Sequence, residues 1–110
     1  MHIVRPADDG AGAIMQTDDF EWDNAKAARN FEKHRISFEE ATFAFDDRHG
    51  IDIIDDSERY AEVRFKLIAS DGQKLLAVIY TERVPRLRII SAREADAHEQ
   101  VRYNERRGLG

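Results

Sequence analysis

The sequence contains no cysteine and is poor in proline, with two residues, and in glycine, with six of 110. The lack of cysteine excludes disulfide frameworks, thiolate zinc sites and cysteine nucleophiles. Long hydrophobic runs are also missing, since the longest aliphatic stretch, Leu75 to Ile79, has only five residues and a membrane-spanning helix needs about 20. The first residues, Met1 to Gly12, lack the basic and apolar segments of a secretory signal. We therefore expect a cytoplasmic protein with no membrane partner.

Glycine-rich phosphate loops and serine nucleophile elbows are absent too. Neither G-x-G-x-x-G nor G-x-x-x-x-G-K-[ST] occurs, and no serine lies in a G-x-S-x-G turn. The four histidines do not form a pair with the spacing of a metal site. These absences exclude the common nucleotide-binding and hydrolase templates, and they leave small binding modules and metal-free phosphodiester chemistry.

The charge that is present is unevenly distributed along the chain. The net charge of −5 combines a net of −8 over residues 1–60 with a net of +3 over residues 83–110. Arginine outnumbers lysine by 13 to 4. Arginine suits bidentate phosphate contacts, although an arginine-rich genome would produce the same ratio. With 42% hydrophobic and 35% charged residues, the chain is typical of one globular domain with a heavily charged surface.

The first half of the chain predicts a short strand and two helices. Residues 1–17 have no periodicity and are predicted to be a disordered N-terminal extension, so that one domain spans residues 18–107. Alternation over residues 20–22 predicts a strand, after which Asp23 can cap a helix from Asn24 to about His34. Ser37 and the glutamate three residues later form a capping box that opens a second helix of about eight residues.

The second half predicts an antiparallel meander and a final helix. Strands are expected at residues 51–55, 62–69, 75–81 and 86–90, with turns at Ser70-Asp71-Gly72 and Val84-Pro85. A second capping box at Ser91 is expected to open a helix that runs to about Arg106. This order indicates an α+β domain in which two N-terminal helices pack on an antiparallel sheet of three to four strands, followed by a C-terminal helix. The helices should cover one face of the sheet and leave the other open.

The open face of this sheet is the first candidate for chemistry. Alternation places four cations on it, Arg64, Lys66, Arg86 and Arg88. The middle strand adds either Tyr80 and Glu82 or Thr81 and Arg83, depending on its register. Such a face suits a phosphodiester backbone, and a solvated face with cross-strand ion pairs is the alternative. RNA cleavage without metal needs only a base, an acid and cations, because the substrate supplies its own 2′-hydroxyl.

Histidine is the second candidate. His34 follows Lys33 at the end of the first helix, where a cation beside an imidazole could orient phosphate and move a proton. His34 also shares a helical row with Phe31, so a packed structural histidine is the alternative.

Two separated blocks of the sequence resemble the BrnT family of toxins. The first comprises Phe20-Glu21-Trp22-Asp23, Lys26-Ala27, Asn30, Lys33-His34, Ser37 to Ala41 and Phe45-Asp46-Asp47. The second comprises Tyr80-Thr81-Glu82-Arg83 and Arg88 to Arg93, with Glu99 and Tyr103 following at similar spacing. The resemblance covers about residues 19–105. One departure is Arg35, at a position where the family commonly has a glycine; a glycine would suit a left-handed helix end.

This resemblance implies a RelE-like fold and a ribonuclease toxin of a type II toxin–antitoxin pair that inhibits translation and growth. It implies a BrnA-like antitoxin in a heterotetramer that represses its own operon, with operator DNA bound only through the antitoxin. The implied substrate is RNA, either free or on the ribosome, and no metal or organic cofactor is expected. The alternatives are a non-catalytic interaction protein and a subunit whose main role lies in the repressor complex.

The site residues that follow from the resemblance and from strand alternation form two groups. The expected catalytic residues are Arg64, Tyr80, Glu82, Arg83, Arg88 and His34, in which Tyr80, Glu82 or His34 would transfer protons. The expected RNA-binding residues are Lys26, Lys33, Lys66, Arg86 and Arg93. No residue is expected to bind metal.

Overall fold

The computed structural model describes residues 12–55 and 62–108, which form a six-stranded sheet with three helices. The strands are β1 (Ile14–Gln16), β2 (Phe20–Asp23), β3 (Ile51–Asp55), β4 (Arg64–Ser70), β5 (Leu75–Arg83) and β6 (Arg86–Glu94). The helices are α1 (Asn24–His34), α2 (Phe38–Thr42) and α3 (Ala97–Arg106), and a 3₁₀ turn (Phe43–Asp46) follows α2. None of the helices in these ranges is long and apolar enough to cross a membrane.

The strand order in the sheet is β1-β2-β6-β5-β4-β3. Strands β3 to β6 form the predicted antiparallel meander, and β2 joins its edge parallel to β6. The prediction of an α+β domain is therefore confirmed, while the sheet is larger than the three to four strands expected. The extra strand β1 pairs with β2, so the sheet begins before the predicted boundary at residue 18. The rest of the predicted extension, residues 1–11, lies outside the described residues.

Helix α1 has the predicted bounds. The Asp23 carboxylate accepts hydrogen bonds from the backbone N–H groups of Ala25 and Lys26, which would otherwise have no partner in the first turn. At the other end Arg35 adopts a left-handed conformation with φ of 61° and donates its N–H to the carbonyl of Phe31. A non-glycine residue in this region carries backbone strain of about 1–2 kcal/mol. Arg35 thus takes the helix-ending role that glycine would fill without strain.

Helix α2 begins at the predicted residue but is shorter than the eight residues predicted. The Ser37 hydroxyl accepts from the Glu40 backbone N–H at the start. After five residues the chain tightens into the 3₁₀ turn. Phe38 and Ala41 are fully buried, as their helical spacing predicted. They pack with Trp22, Val78 and Ile89 in a core between the sheet and the first two helices.

The prediction that Ser91 opens the last helix is wrong. Strand β6 continues to Glu94, because residues 91–94 pair with residues 76–79 of the central strand β5. Helix α3 begins at Ala97 instead, with a complete capping box formed by Asp96 and Glu99. The helix-capping preference of Ser91 depends only on neighbouring residues, and hydrogen-bonded pairing with the buried strand β5 outweighs it.

Helix α3 also lies on the opposite face of the sheet from α1 and α2. The side chains of Lys66 and Arg93 point away from the core cluster, and both contact Glu99 of α3. Ile68 and Ala77 lie on this second face and are buried. The expectation that all helices cover one face is therefore wrong, and only part of the second face remains open.

Asn30 connects α1 to the rest of the fold. Its side-chain amide donates to the carbonyls of Ile36 and Ala92 at 3.0 and 2.8 Å, and its oxygen accepts from the Ala92 N–H at 3.1 Å. We expect Asn30→Ala to lower the free energy of unfolding by about 2 kcal/mol, because three buried backbone groups lose their partner. Urea denaturation measures this change. Asn24→Ala, at an exposed asparagine of the same helix, should change it by less than about 0.5 kcal/mol, and an equal loss in both variants would contradict the role of Asn30.

Candidate functional site

A row of polar and charged side chains crosses the second face of the sheet, with a carboxylate at each end and two arginines between them. It comprises, strand by strand, Asp55 (β3), Arg64 (β4), Thr81 (β5), Arg88 (β6) and Glu21 (β2). The register pairs Asp55 with Arg64, Thr81 with Arg88, and Arg88 with Glu21. Thr81 is buried, and its hydroxyl donates to the Val63 carbonyl. We call the second face around this row, together with Lys66 and Arg93, the arginine face.

Arg88 is held in place by a buried carboxylate. Its Nε and Nη2 atoms both lie 2.7 Å from Oε2 of Glu21. Glu21 is only 6% exposed, so the ion pair is shielded from water and salt more than a surface pair would be. A guanidinium group has five N–H donors. The contact with Glu21 therefore orients Arg88 and leaves further donors for a ligand.

A second buried carboxylate joins two more cations on the same face. The Glu99 carboxylate is contacted by Nη1 and Nη2 of Arg93 at 2.8 and 2.9 Å and by Nζ of Lys66 at 2.7 Å. Glu99 is 3% exposed. Burial by itself would raise the pKa of Glu99, but hydrogen bonds from the two cations and from the helix cap outweigh burial and lower the pKa to about 2. Glu99 is therefore ionised near neutral pH and serves as an anchor for Arg93 and Lys66.

A β-bulge explains why Arg93 shares a face with Arg88. Ile79 pairs with Ser91 and Tyr80 pairs with Ile89, so Ile90 is an extra residue in β6. The extra residue shifts the alternation by one position and turns Arg93 toward the arginine face. Arg93 was expected in the last helix. It lies in the strand, and it reaches the other cations only because of this irregularity.

The structure selects one of the two registers left open for β5. Thr81 and Arg83 point toward the arginine face, and Tyr80 and Glu82 point toward the other face. The Tyr80 ring stacks with Phe65 and contacts Phe45, and its hydroxyl donates to Asp52 at 2.7 Å. Burial and the hydrogen bond to Asp52 raise the pKa of Tyr80 well above its usual value.

Three other predicted proton-transfer or phosphate-binding residues also lie away from the row. His34, Lys26 and Lys33 are on α1, which packs against the opposite side of the sheet. The structure therefore does not bring Tyr80, Glu82 or these helix residues together with the cations of the arginine face.

Arg83 and Arg86 lie at the far end of the arginine face, next to the β5–β6 turn. They pair with each other in the register of the two strands. Arg83 contacts Glu62 at 3.0 Å, and Nε of Arg86 donates to the carbonyl of Thr17 at 2.7 Å. Both side chains therefore have partners at the rim, a carboxylate for Arg83 and a backbone carbonyl for Arg86.

The sequence prediction missed the two carboxylates that organise the site. Alternation in β2 separates Glu21 from the core residues Phe20 and Trp22 and could have placed it beside Arg88. The family resemblance includes Glu99 only by its spacing. No local sequence pattern predicts its contact with Lys66, which lies 33 positions earlier. Within residues 12–55 and 62–108, no three histidine, aspartate or glutamate side chains are grouped to hold a metal ion.

Comparison with protein families identifies the family to which the sequence is similar. A family model described as "Ribonuclease toxin, BrnT, of type II toxin-antitoxin system" matches residues 22–99. The matched segment runs from β2 to the first turn of α3 and includes Arg64, Lys66, Arg88 and Arg93 of the arginine face. A search of curated proteins finds no match to this chain.

Proposed function

Because this chain belongs to the BrnT family of ribonuclease toxins of type II toxin–antitoxin systems, we propose that it cleaves RNA on the arginine face. The observation that carries this proposal is the grouping of four cations, Arg64, Lys66, Arg88 and Arg93, on one face of the sheet. Three of them, Lys66, Arg88 and Arg93, are oriented by buried carboxylates. Cations held in fixed directions stabilise the charge that develops on a phosphate during cleavage.

The reaction proposed is attack of the RNA 2′-hydroxyl on the adjacent phosphorus. The 2′-oxygen forms a bond to phosphorus and loses its proton, the bond from phosphorus to the 5′-oxygen breaks, and the 5′-oxygen takes up a proton. The products are a 2′,3′-cyclic phosphate and a 5′-hydroxyl. Protein cations stabilise the phosphorane in this scheme, so no metal ion is needed. In this scheme the 2′-hydroxyl proton passes to the Asp55 carboxylate at the β3 end of the row, and the 5′-oxygen takes its proton from water. Glu21 orients Arg88, while Tyr80, Glu82 and His34 lie elsewhere.

The proposed partner is a BrnA-like antitoxin that forms a heterotetramer with the toxin, blocks its activity in the cytoplasm and joins it in repressing the operon. A type II family implies a protein antitoxin. The net charge of −8 over residues 1–60 favours basic contacts on the antitoxin. Operator DNA would be bound through the antitoxin, because the acidic chain has no visible DNA-reading motif.

We expect the purified protein to cleave labelled single-stranded RNA equally fast, within about twofold, with and without EDTA, because arginine supplies the charge stabilisation. Mass spectrometry of the products should find 2′,3′-cyclic phosphate ends. Arg102→Ala, at an exposed arginine of α3, should cleave like the parent. Loss of cleavage in EDTA would contradict the metal-free mechanism.

The same assay separates the alternatives. Cleavage that requires translating ribosomes would identify a ribosome-dependent ribonuclease. Stoichiometric RNA binding without new ends, on free RNA and on ribosomes, would identify a non-catalytic interaction protein.

A further inference from the structure

A cleft lies at one end of the sheet, separate from the arginine face. It has a volume of about 730 Å³ and lies between the 3₁₀ turn, the β4–β5 turn and helix α3. This volume falls within the range of small-molecule sites, about 300–1,000 Å³. Neither the matched family description nor the mechanism above assigns a role to this cleft.

The side chains at the rim of the cleft suit a flat, hydrogen-bonding group. Phe43 is 61% exposed, unusually open for a phenylalanine, and its ring borders the cleft. Gln73 and Asn104 add exposed amides on other sides. An aromatic ring that stacks on a base, together with amides that read its edge, is the usual arrangement for recognising unpaired RNA.

The charge of the cleft argues against a phosphate as its main occupant. Its lining contains the cations Lys74 and Arg107 and three carboxylates, Asp46, Asp47 and Asp71. An excess of carboxylates disfavours an anion. An uncharged ligand with N–H donors fits better, because carboxylates and amide oxygens accept hydrogen bonds from such donors.

One wall of the cleft is fixed by a hydrogen-bond network. The Tyr103 hydroxyl donates to Asp47, which also accepts from the backbone N–H groups of Ser70 and His49. Burial and the bond to Asp47 raise the pKa of Tyr103 to about 12. Tyr103 is therefore a neutral, immobilised side chain near neutral pH. A wall held in this way costs little ordering entropy when a ligand binds.

Helix α3 links the cleft to the arginine face. Glu99, which anchors Lys66 and Arg93, and Tyr103, which lines the cleft, are four residues apart on the same side of the helix. Four residues of an α-helix span about 6 Å along its axis. Arg88 pairs with a residue six positions along β5 from the cleft, about 20 Å away at about 3.3 Å per residue. A single strand of RNA with a phosphate at Arg88 can therefore reach the cleft with a base a few nucleotides further along.

We propose that this cleft binds an unstacked base of single-stranded RNA a few nucleotides from the phosphate that is cleaved on the arginine face. The inference rests on the proposed ribonuclease function and deepens it, since it assigns a residue set to substrate selection. Phe43 stacks on the base, and Asn104 and Gln73 hydrogen-bond to its edge.

Binding can be measured without cleavage by using 2′-O-methyl oligonucleotides of four different sequences, which lack the attacking hydroxyl. We expect Phe43→Ala to weaken binding of the best sequence about tenfold, as loss of one base–aromatic stack would, and Asn104→Ala to reduce the difference between sequences. Val101→Ala, at an exposed apolar residue of α3 outside the cleft, should bind like the parent. Equal affinity in all three variants would overturn the proposal.

A second measurement covers the case in which a variant folds poorly. In NMR titrations of the parent protein with the same oligonucleotides, the amide signals of Gln73 and Asn104 should shift, and their absence from the shifting set would overturn the base site. These results are independent of turnover. If the NMR signals of the cleft residues shift but no RNA is cleaved, the result counts against the proposed ribonuclease function and supports the base site.

Discussion

Replacing Arg88 with alanine is expected to reduce the rate of RNA cleavage by about 100-fold or more. Arg88 lies between Glu21 and Thr81 in the charged row, and two of its nitrogens are fixed by Glu21. Removing one preorganised donor from a charge-stabilising site typically costs about 10²–10³ in rate. The rate is measured on labelled RNA under single-turnover conditions, and Arg102→Ala provides the matched loss of one positive charge. Full activity in folded Arg88→Ala would show that the arginine face is not the active site.

The stability of this variant needs its own control. Arg88→Ala leaves the Glu21 carboxylate buried without its counter-ion, so we expect the melting temperature to fall. Changing Glu21 to glutamine in the same chain removes the stranded charge and should recover part of the lost stability. Cleavage should remain at least about 100-fold reduced in the double variant. A recovery of activity that parallels the recovery of stability would mean that Arg88 acts through folding alone.

Glu99→Gln is expected to lower the free energy of unfolding at pH 7 by about 3 kcal/mol. The pKa of Glu99 falls from an ordinary value of 4.5 to about 2 in the folded protein, and each unit of difference corresponds to about 1.4 kcal/mol. The folded pKa lies below the unfolded one, so this stabilisation is fully present above pH 4.5. It is lost as the pH falls from 4.5 toward 2.

Urea denaturation at a series of pH values tests this assignment. The stability of the parent protein relative to Glu99→Gln should be constant from pH 7 to about 5 and shrink below that range. Glu105→Gln removes an exposed carboxylate from the same helix and should match the parent within about 0.5 kcal/mol. If the difference between parent and Glu99→Gln did not change with pH, Glu99 would not be the anchor described above.

Local patterns in the sequence were sufficient to predict several helices, strands and turns. The Asp23 cap and the helical spacing of apolar residues defined α1 at both ends, because capping and side-chain periodicity act over a few residues. Alternation in β4 correctly separated Arg64 and Lys66 from Phe65 and Leu67, since neighbouring side chains in a strand point to opposite faces. The turn around Gly72 was also confirmed, and Gly72 has a positive φ of 104°.

Other features depended on which segments meet in space. Ser91 has the local signature of a helix cap, and only the buried partner strand β5 keeps it extended. The bulge at Ile90 has no signature of its own in the sequence, because a bulge arises from how two strands pair. Without it, simple alternation would place Arg93 on the face opposite Arg88.

For the candidate site, the sequence by itself determined the inventory of cations and the fact that Arg64, Lys66 and Arg88 alternate with core residues. Only the tertiary structure decided that Tyr80 faces the core, that α1 carries His34 to the other side of the sheet, and that Glu21 and Glu99 anchor the arginines. The physical reason is the separation in sequence of the residues that interact. Periodicity and capping are set by residues a few positions apart, whereas ion pairs such as that of Lys66 with Glu99 join positions 33 residues apart and exist only after the strands and α3 have packed.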